Sequence, residues 1–157
     1  MSRANQKTRQ CLTAALDLLI VAAMIYDWAT IGSEVAAQPA KAAVISPAEK
    51  LQWTKNENGI PFVYVWGDAS SGPHGEFVKF PAGFTTPLHT HTADYHGVVI
   101  SGTLMNPMGD AETGPELRPG SYYFVPGGQK HRTKCVSETD CVFYLHQDAK
   151  FDFVPVK

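Results

Sequence analysis

Two stretches of this chain decide its fold, GFTTPLHTHTADYHGVVISG at residues 83–102 and GSYYFVPGGQKH at residues 120–131. Together they contain four of the six histidines. His89 and His91 are two residues apart, and such residues share a face of a β-strand. A third imidazole, that of His131, comes from a second predicted strand. Because neutral imidazole is a good ligand for Zn, Fe, Cu, Ni and Mn-type ions, the two stretches predict a site for one divalent transition metal.

The spacing within the two stretches resembles the two motifs of the cupin superfamily. The first motif, G-x5-H-x-H-x3-E-x6-G, matches at Gly83, His89, His91 and Gly102. The second motif, G-x5-P-x-G-x2-H-x3-N, matches at Gly120, Pro126, Gly128 and His131. Two motifs in the right order are a far more specific signal than H-x-H alone. Within the superfamily, the chain resembles the cupin domain of zinc-binding anti-sigma factors and uncharacterised exported bacterial cupins.

The resemblance implies an all-β fold, a single cupin jelly-roll β-barrel that binds its metal inside one end through His, His, Glu and His. Tyr95 stands where the family has Glu, and His96 follows it directly. Neighbouring residues of a regular strand point to opposite faces, so only one of the two can point inward. Tyrosine has an ordinary pKa near 10 and must ionise to be a strong ligand. The fourth ligand is therefore Tyr95, His96 or water.

The chain after residue 38 reads as short strands separated by Gly- and Pro-containing turns, which favours a sandwich or barrel. We expect six apolar residues to fill the barrel: Val98, Ile100, Phe124, Val125, Phe143 and Leu145. We expect four polar residues to bind substrate in the cavity: Tyr122, Thr133, Tyr144 and His146. His74 lies in a Ser-Gly-Pro-His-Gly loop and is expected to face solvent. Asp94 either orients a ligand histidine or begins a turn.

The first 37 residues differ in composition from the rest of the chain. A basic start is followed by an apolar run at residues 12–31 and by small residues at 35–37, which is the order of a secretory signal cleaved before Gln38. Two aspartates interrupt the apolar run, and its length of about 20 residues also suits an uncleaved membrane anchor or a helix packed on a partner. We expect a signal peptide or anchor at residues 1–37, a flexible lead-in at 38–50 and a cupin domain at 51–157.

Cysteine usage agrees with export to the periplasm or the outside of the cell. Cys135 and Cys141 flank a Ser-Glu-Thr-Asp centre that is typical of a hairpin loop, which would place the two residues opposite each other. A disulfide is expected in an oxidising compartment. The alternative is a pair of small, buried apolar side chains.

Composition narrows the choice of partners. The chain has 13 Lys and Arg against 15 Asp and Glu, and no basic stripe that would suggest nucleic acid. We therefore expect a small-molecule ligand and no nucleic acid. A membrane is a partner only if the N-terminal segment is uncleaved. The sequence does not decide between a monomer and a homodimer. Two functions stay open. One is a metal-dependent enzyme of the oxygenase, isomerase or lyase class, whose catalytic residues the sequence does not identify, and the other is a non-catalytic module that binds or senses a metal or small ligand.

Overall fold

The computed structural model of the protein describes residues 42–157. The predicted signal or anchor at residues 1–37 lies outside this range, so it stays a prediction, as do the domain boundaries drawn from it. Among the described residues, no helix is both long and apolar enough to cross a membrane.

Within residues 42–157 almost all regular structure is β. A single turn of 3-10 helix, Ala48–Lys50, precedes the strands. The strands are β1 Thr54–Lys55, β2 Pro61–Gly67, β3 His74–Phe80, β4 His89–Thr90, β5 Tyr95–Ser101, β6 Leu104–Met105, β7 Glu116–Leu117, β8 Tyr122–Val125, β9 Lys134–Cys135, β10 Cys141–Gln147 and β11 Val154–Pro155. Aromatic and β-branched residues dominate the long strands, as their preference for a pleated, half-buried surface predicts.

The strands form three antiparallel sheets. The largest has six strands in the order β1-β2-β3-β10-β5-β8, and the others have the orders β7-β6-β9 and β11-β4. An isolated bridge between His89 and His131 joins β4 to the segment that enters β9. Sequence neighbours therefore often lie in different sheets, as in a jelly roll.

The core contains residues of both the six-stranded and the three-stranded sheet. Val99 of β5 and Phe143 of β10 pack in one cluster with Leu104 of β6, which is fully buried. Three of the expected core residues were assigned wrongly, and one of them, Val98, is half-buried on the face of β5 opposite Val99. Ile100 and Phe124 are exposed, because side chains alternate along a strand and the inward positions belong to their neighbours.

A disulfide joins Cys135 of β9 to Cys141 of β10. The two residues do not face each other across one hairpin, as the sequence suggested. Cys135 pairs with Leu104 in the three-stranded sheet, whereas Cys141 pairs with Phe80 in the six-stranded sheet. The disulfide therefore links two sheets. Gly102 lies against it with φ +74°, and a Cβ there would be 2.8 Å from the Cys141 Sγ, which explains why this motif position needs glycine.

Candidate metal centre and its cavity

Backbone pairing between the two motif segments brings three histidines together. The amide of His89 donates to the carbonyl of His131 at 3.1 Å, and the amide of His131 donates back at 3.0 Å. His91 follows β4 and, two residues from His89, contributes its ring to the same cluster. All three side chains are buried, and their candidate ligand nitrogens lie within 4.8 Å of one another. The pairing of two distant stretches thus builds the cluster that the motifs predicted.

Backbone carbonyls fix the tautomer of each imidazole. Nδ1 of His89 donates to the carbonyl of Pro87 at 2.8 Å, and Nδ1 of His131 donates to that of Gln129 at 2.9 Å. Nδ1 of His91 donates to the carbonyl of Asp152. A carbonyl only accepts, so each Nδ1 carries the proton and each Nε2 keeps its lone pair. This is the arrangement that orients histidine for a metal.

Burial keeps these rings neutral. Burial lowers the pKa of His89 to about 4, although the hydrogen bond to Pro87 raises it. The neighbouring rings of His131 and His91 lower it a little further. Burial also lowers the pKa of His91 and of His131. Neutral imidazole is the form that ligates a metal. Three buried, neutral and pre-oriented imidazoles fit a divalent transition metal and leave room for a further ligand.

Of the two candidates for a fourth ligand, the structure places Tyr95 beside the histidines. Tyr95 is buried at the start of β5, and its hydroxyl lies 2.9 Å from Nε2 of His131. Burial raises the pKa of Tyr95 far above its ordinary value, so the free phenol is neutral and donates this hydrogen bond. His96 points to the other face of the sheet, where Nδ1 lies 2.7 Å from the hydroxyl of Tyr122. The expectation that His96 reaches the metal is therefore corrected by the register of β5.

Of the four residues expected to bind substrate, only Thr133 lines the cavity. Tyr122 and His146 are on the outer face of the six-stranded sheet, as is Tyr144, whose hydroxyl accepts a hydrogen bond from Trp66 at 3.0 Å. The assignment of these three was wrong because side chains alternate along each strand. Phe143 and Gln147 of β10 and Tyr123 of β8 point inward instead.

Two of the three histidines, His89 and His91, lie in the wall of a cavity of about 900 Å³, and His131 is fully buried behind them. The other walls of the cavity are mostly apolar and aromatic, and the polar residues that the sequence did not indicate include His74, Glu76 and Gln147. His74 was expected to face solvent but is 1% exposed, because β3 begins at this residue. The sequence pattern that indicates this burial is the period-two alternation that runs back from Phe80 through Val78 to His74. Burial raises the pKa of Glu76 to about 7.

The C-terminal segment covers the histidines from one side. The ring of Phe153 stacks on His89 with centroids 4.1 Å apart, and the ring of Phe151 lies 5.0 Å from that of His91. The carboxylate of Asp152 accepts a hydrogen bond from the amide of Thr92 at 2.8 Å. Residues 151–153 therefore belong to the site as much as the motif residues do, although neither motif includes them.

Asp94 connects the two motif segments instead of holding a histidine. Its carboxylate accepts a hydrogen bond from the amide of Gly127 at 2.6 Å. The amide of Gly128 donates to the carbonyl of His91 at 2.8 Å. A Cβ on Gly127 would be 2.4 Å from the carbonyl oxygen of Thr92, so this close approach needs glycine.

The sequence matches the family described as a domain of unknown function, DUF4437, over residues 36–154. The chain belongs to this family. It is also similar to the DNA damage-repair/toleration protein DRT102 of Arabidopsis thaliana, with 32% identity over 80 residues. That similarity covers 51% of this chain and 25% of DRT102. The DUF4437 chain thus spans about a quarter of the length of the curated relative that it matches.

Solved structures establish the fold of this DUF4437 protein. The polyketide cyclase RemF from Streptomyces resistomycificus is similar with a TM-score of 0.62 and 15% identity, over 75% of this chain and 87% of that chain. An RmlC-like cupin protein from Ralstonia eutropha is similar with a TM-score of 0.58 and 16% identity, over 71% of this chain and 72% of that chain. At these identities the likeness shows the fold alone, and the predicted cupin fold is confirmed.

Proposed function

We propose that this protein is a metal-dependent cupin enzyme that acts on a small organic molecule in the cavity beside its histidines. The observation that carries the proposal is the set of three buried imidazoles, each with Nδ1 bound to a carbonyl and Nε2 left as a ligand. A merely structural cluster of histidines has no need for an Nε2 lone pair on every ring, and the hydrogen bond to Nε2 of His131 comes from Tyr95, the proposed fourth ligand. A cavity of about 900 Å³ beside these nitrogens is large enough for a substrate.

His89, His91 and His131 would hold the ion, with Tyr95 as the fourth ligand. A bound divalent metal, of which zinc, manganese, iron, nickel and copper are the candidates, would supply Lewis-acid chemistry or an activated water. The rings of Phe151 and Phe153 cover the histidines and exclude water from the ion's site. Backbone carbonyls orient the three histidine rings, and Thr133 supplies a polar side chain to the cavity wall. Oxygenase, isomerase and lyase reactions are all compatible with this arrangement, and the similar RemF is itself described as a polyketide cyclase.

The proposal includes export. Residues 1–37 act as a signal peptide, residues 38–50 as a lead-in and residues 51–157 as the enzyme, which then works in the periplasm or outside the cell. The disulfide between Cys135 and Cys141 supports this location, since such bonds persist in oxidising compartments. A homodimer is a separate prediction, and analytical ultracentrifugation tests it.

Metal content and turnover test the proposal together. The full chain, purified without chelator, should hold close to one transition-metal ion, measured by inductively coupled plasma mass spectrometry. His91→Ala should lose the ion, whereas His96→Ala, a matched control on the outer face, should keep it. Wild-type protein should then consume at least one compound of a bacterial metabolite extract, followed by mass spectrometry, and His91→Ala should leave that compound unchanged.

The alternative function, a module that binds or senses a metal or small ligand, makes a different prediction. Tyr95 in place of a carboxylate is the observation that favours it, because a neutral phenol is a weak ligand. A protein that binds one metal and retains a compound from the extract without converting it would favour this alternative. A wild-type chain that takes up none of zinc, manganese, iron, nickel or copper would contradict both functions.

A further inference from the structure

A second group of polar side chains lies on the inner face of the six-stranded sheet. His74 and Glu76 are two residues apart on β3 and share a face. In the antiparallel pairing, Gln147 of β10 lies directly opposite His74, and Tyr64 of β2 lies directly opposite Glu76. All four residues line the same cavity as His89 and His91. The register therefore places them next to one another in the cavity wall.

This group presents three hydrogen-bond acceptors, beside the hydroxyl of Tyr64 and one N–H of the Gln147 amide. Nδ1 of His74 donates to the carbonyl of Gly72 at 3.0 Å, which leaves Nε2 as an acceptor. Nε2 of Gln147 donates to the carbonyl of Ala93 at 3.4 Å, which leaves Oε1 as an acceptor. Among residues 42–157, no hydrogen-bond partner reaches the carboxyl of Glu76. Three acceptors thus lie together in a cavity wall where the Tyr64 hydroxyl and one N–H of Gln147 are the donors of the group.

The charge of the cavity wall is also one-sided. Among the described residues that line it, none is Lys or Arg. Glu76 is 7% exposed, and a buried carboxylate without a cation is costly. The rings of Phe62 and Tyr64, 5.1 Å apart, flank this position, and the negative faces of aromatic rings attract cations. Carboxyl, acceptors and ring faces all favour a positively charged donor.

We propose that His74, Glu76, Gln147 and Tyr64 form a subsite that binds the ammonium group of a small organic amine. A primary ammonium has three N–H donors and no acceptor, which matches the three acceptors of the patch. The apolar part of the amine would lie against the aromatic walls of the cavity. The inference rests on the proposed function in one respect, that the substrate enters this cavity. It adds the chemical class of that substrate.

Three probes of similar size and different charge test the subsite: 2-phenylethylamine, 2-phenylethanol and 3-phenylpropanoate. Their binding to the full chain, freed of metal by chelator, is measured by isothermal titration calorimetry. The amine should bind at least about tenfold more tightly than the alcohol, the size of effect expected of a buried charge-assisted contact. Glu76→Gln should weaken binding of the amine about tenfold and leave the alcohol within about twofold. Glu116→Gln, a matched variant at an exposed site on β7, should behave as wild type.

Several outcomes would overturn the inference. Equal binding of amine and alcohol, tighter binding of the carboxylate, or unchanged binding of the amine in Glu76→Gln would each contradict it. A second metal ion per chain that Glu76→Gln removes would instead indicate an ion site. If Glu76→Gln does not fold, Tyr64→Leu serves, and it should weaken only the amine, by about fivefold. Because the binding measurements with the three probes use metal-free protein, failure of the proposed metal function would leave this test intact.

Discussion

At the scale of the residue, Tyr95 distinguishes this site from the four-ligand pattern that the motifs imply. Its buried phenol donates to His131 and has a raised pKa, so it would ionise only under the charge of a bound ion. We expect ferric or cupric wild-type protein to show a visible charge-transfer band, measured by absorption spectroscopy. Tyr95→Phe should lose the band and bind the metal about tenfold more weakly, as is common when a group around a metal is removed. His96→Ala should keep both properties, and identical metal affinity in Tyr95→Phe and wild type would indicate a site of three histidines and solvent.

Glu76 allows a prediction about stability at the same scale. Its pKa is raised from 4.5 to about 7 in the folded protein, so the folded state binds more protons than the unfolded state between these values. The stabilising effect of this proton is full below pH 4.5 and is lost as the pH rises through 7. Glu76→Gln should therefore raise the free energy of unfolding of metal-free protein at pH 8 by about 3 kcal/mol and change it little at pH 4. Urea unfolding at the two pH values measures this, and an equal effect at both would contradict the assigned cause.

At the scale of the element, the motif strands could be predicted and the cavity wall only in part. The H-x-H spacing fixes a shared face for His89 and His91, whatever the exact start of β4. Tyr144 and His146 have the same spacing and also share a face, but no motif indicates whether that face points into the cavity, and a register one residue away reverses it. His74 looked like a loop residue because Gly and Pro surround it. The alternation along β3 runs back to this position, and the pairing of β3 with β10 shows that it begins the strand.

The C-terminal segment is the element that no motif announced, and it makes its own prediction. The carbonyl of Asp152 holds Nδ1 of His91, and the ring of Phe153 stacks on His89. Deletion of residues 151–157 should lower metal affinity by about tenfold or more. Removal of the group that hydrogen-bonds the other ring nitrogen of a ligand histidine commonly has an effect of this size. Asp152→Ala keeps the carbonyl and is the matched control, which should bind metal within about threefold of wild type. Competition with a chromogenic chelator measures both, and an unaffected deletion variant would show that His91 needs no such partner.

At the scale of the whole molecule, the disulfide and the N-terminal segment lead to one linked prediction. Cys135 and Cys141 join the two sheets that enclose the core. We therefore expect the bond to be present in the functional protein and to persist in an oxidising compartment. Expressed as the full chain in a bacterial host, the protein recovered from the cell envelope should begin at Gln38. Its intact mass should lack two hydrogens. Reduction should then lower the free energy of unfolding by about 2 kcal/mol, the amount expected for a short closed loop.

The two parts of this prediction depend on the same argument about compartment, so they should succeed or fail together. Cys141→Ser is the control for the reduction experiment, because it removes the bond and should make stability insensitive to reductant. A full-length chain with free thiols in the cytoplasm would contradict both parts. It would also favour the alternative in which residues 1–37 form a helix that packs on a partner, and the binding or sensing function would then become the better account of the histidine site.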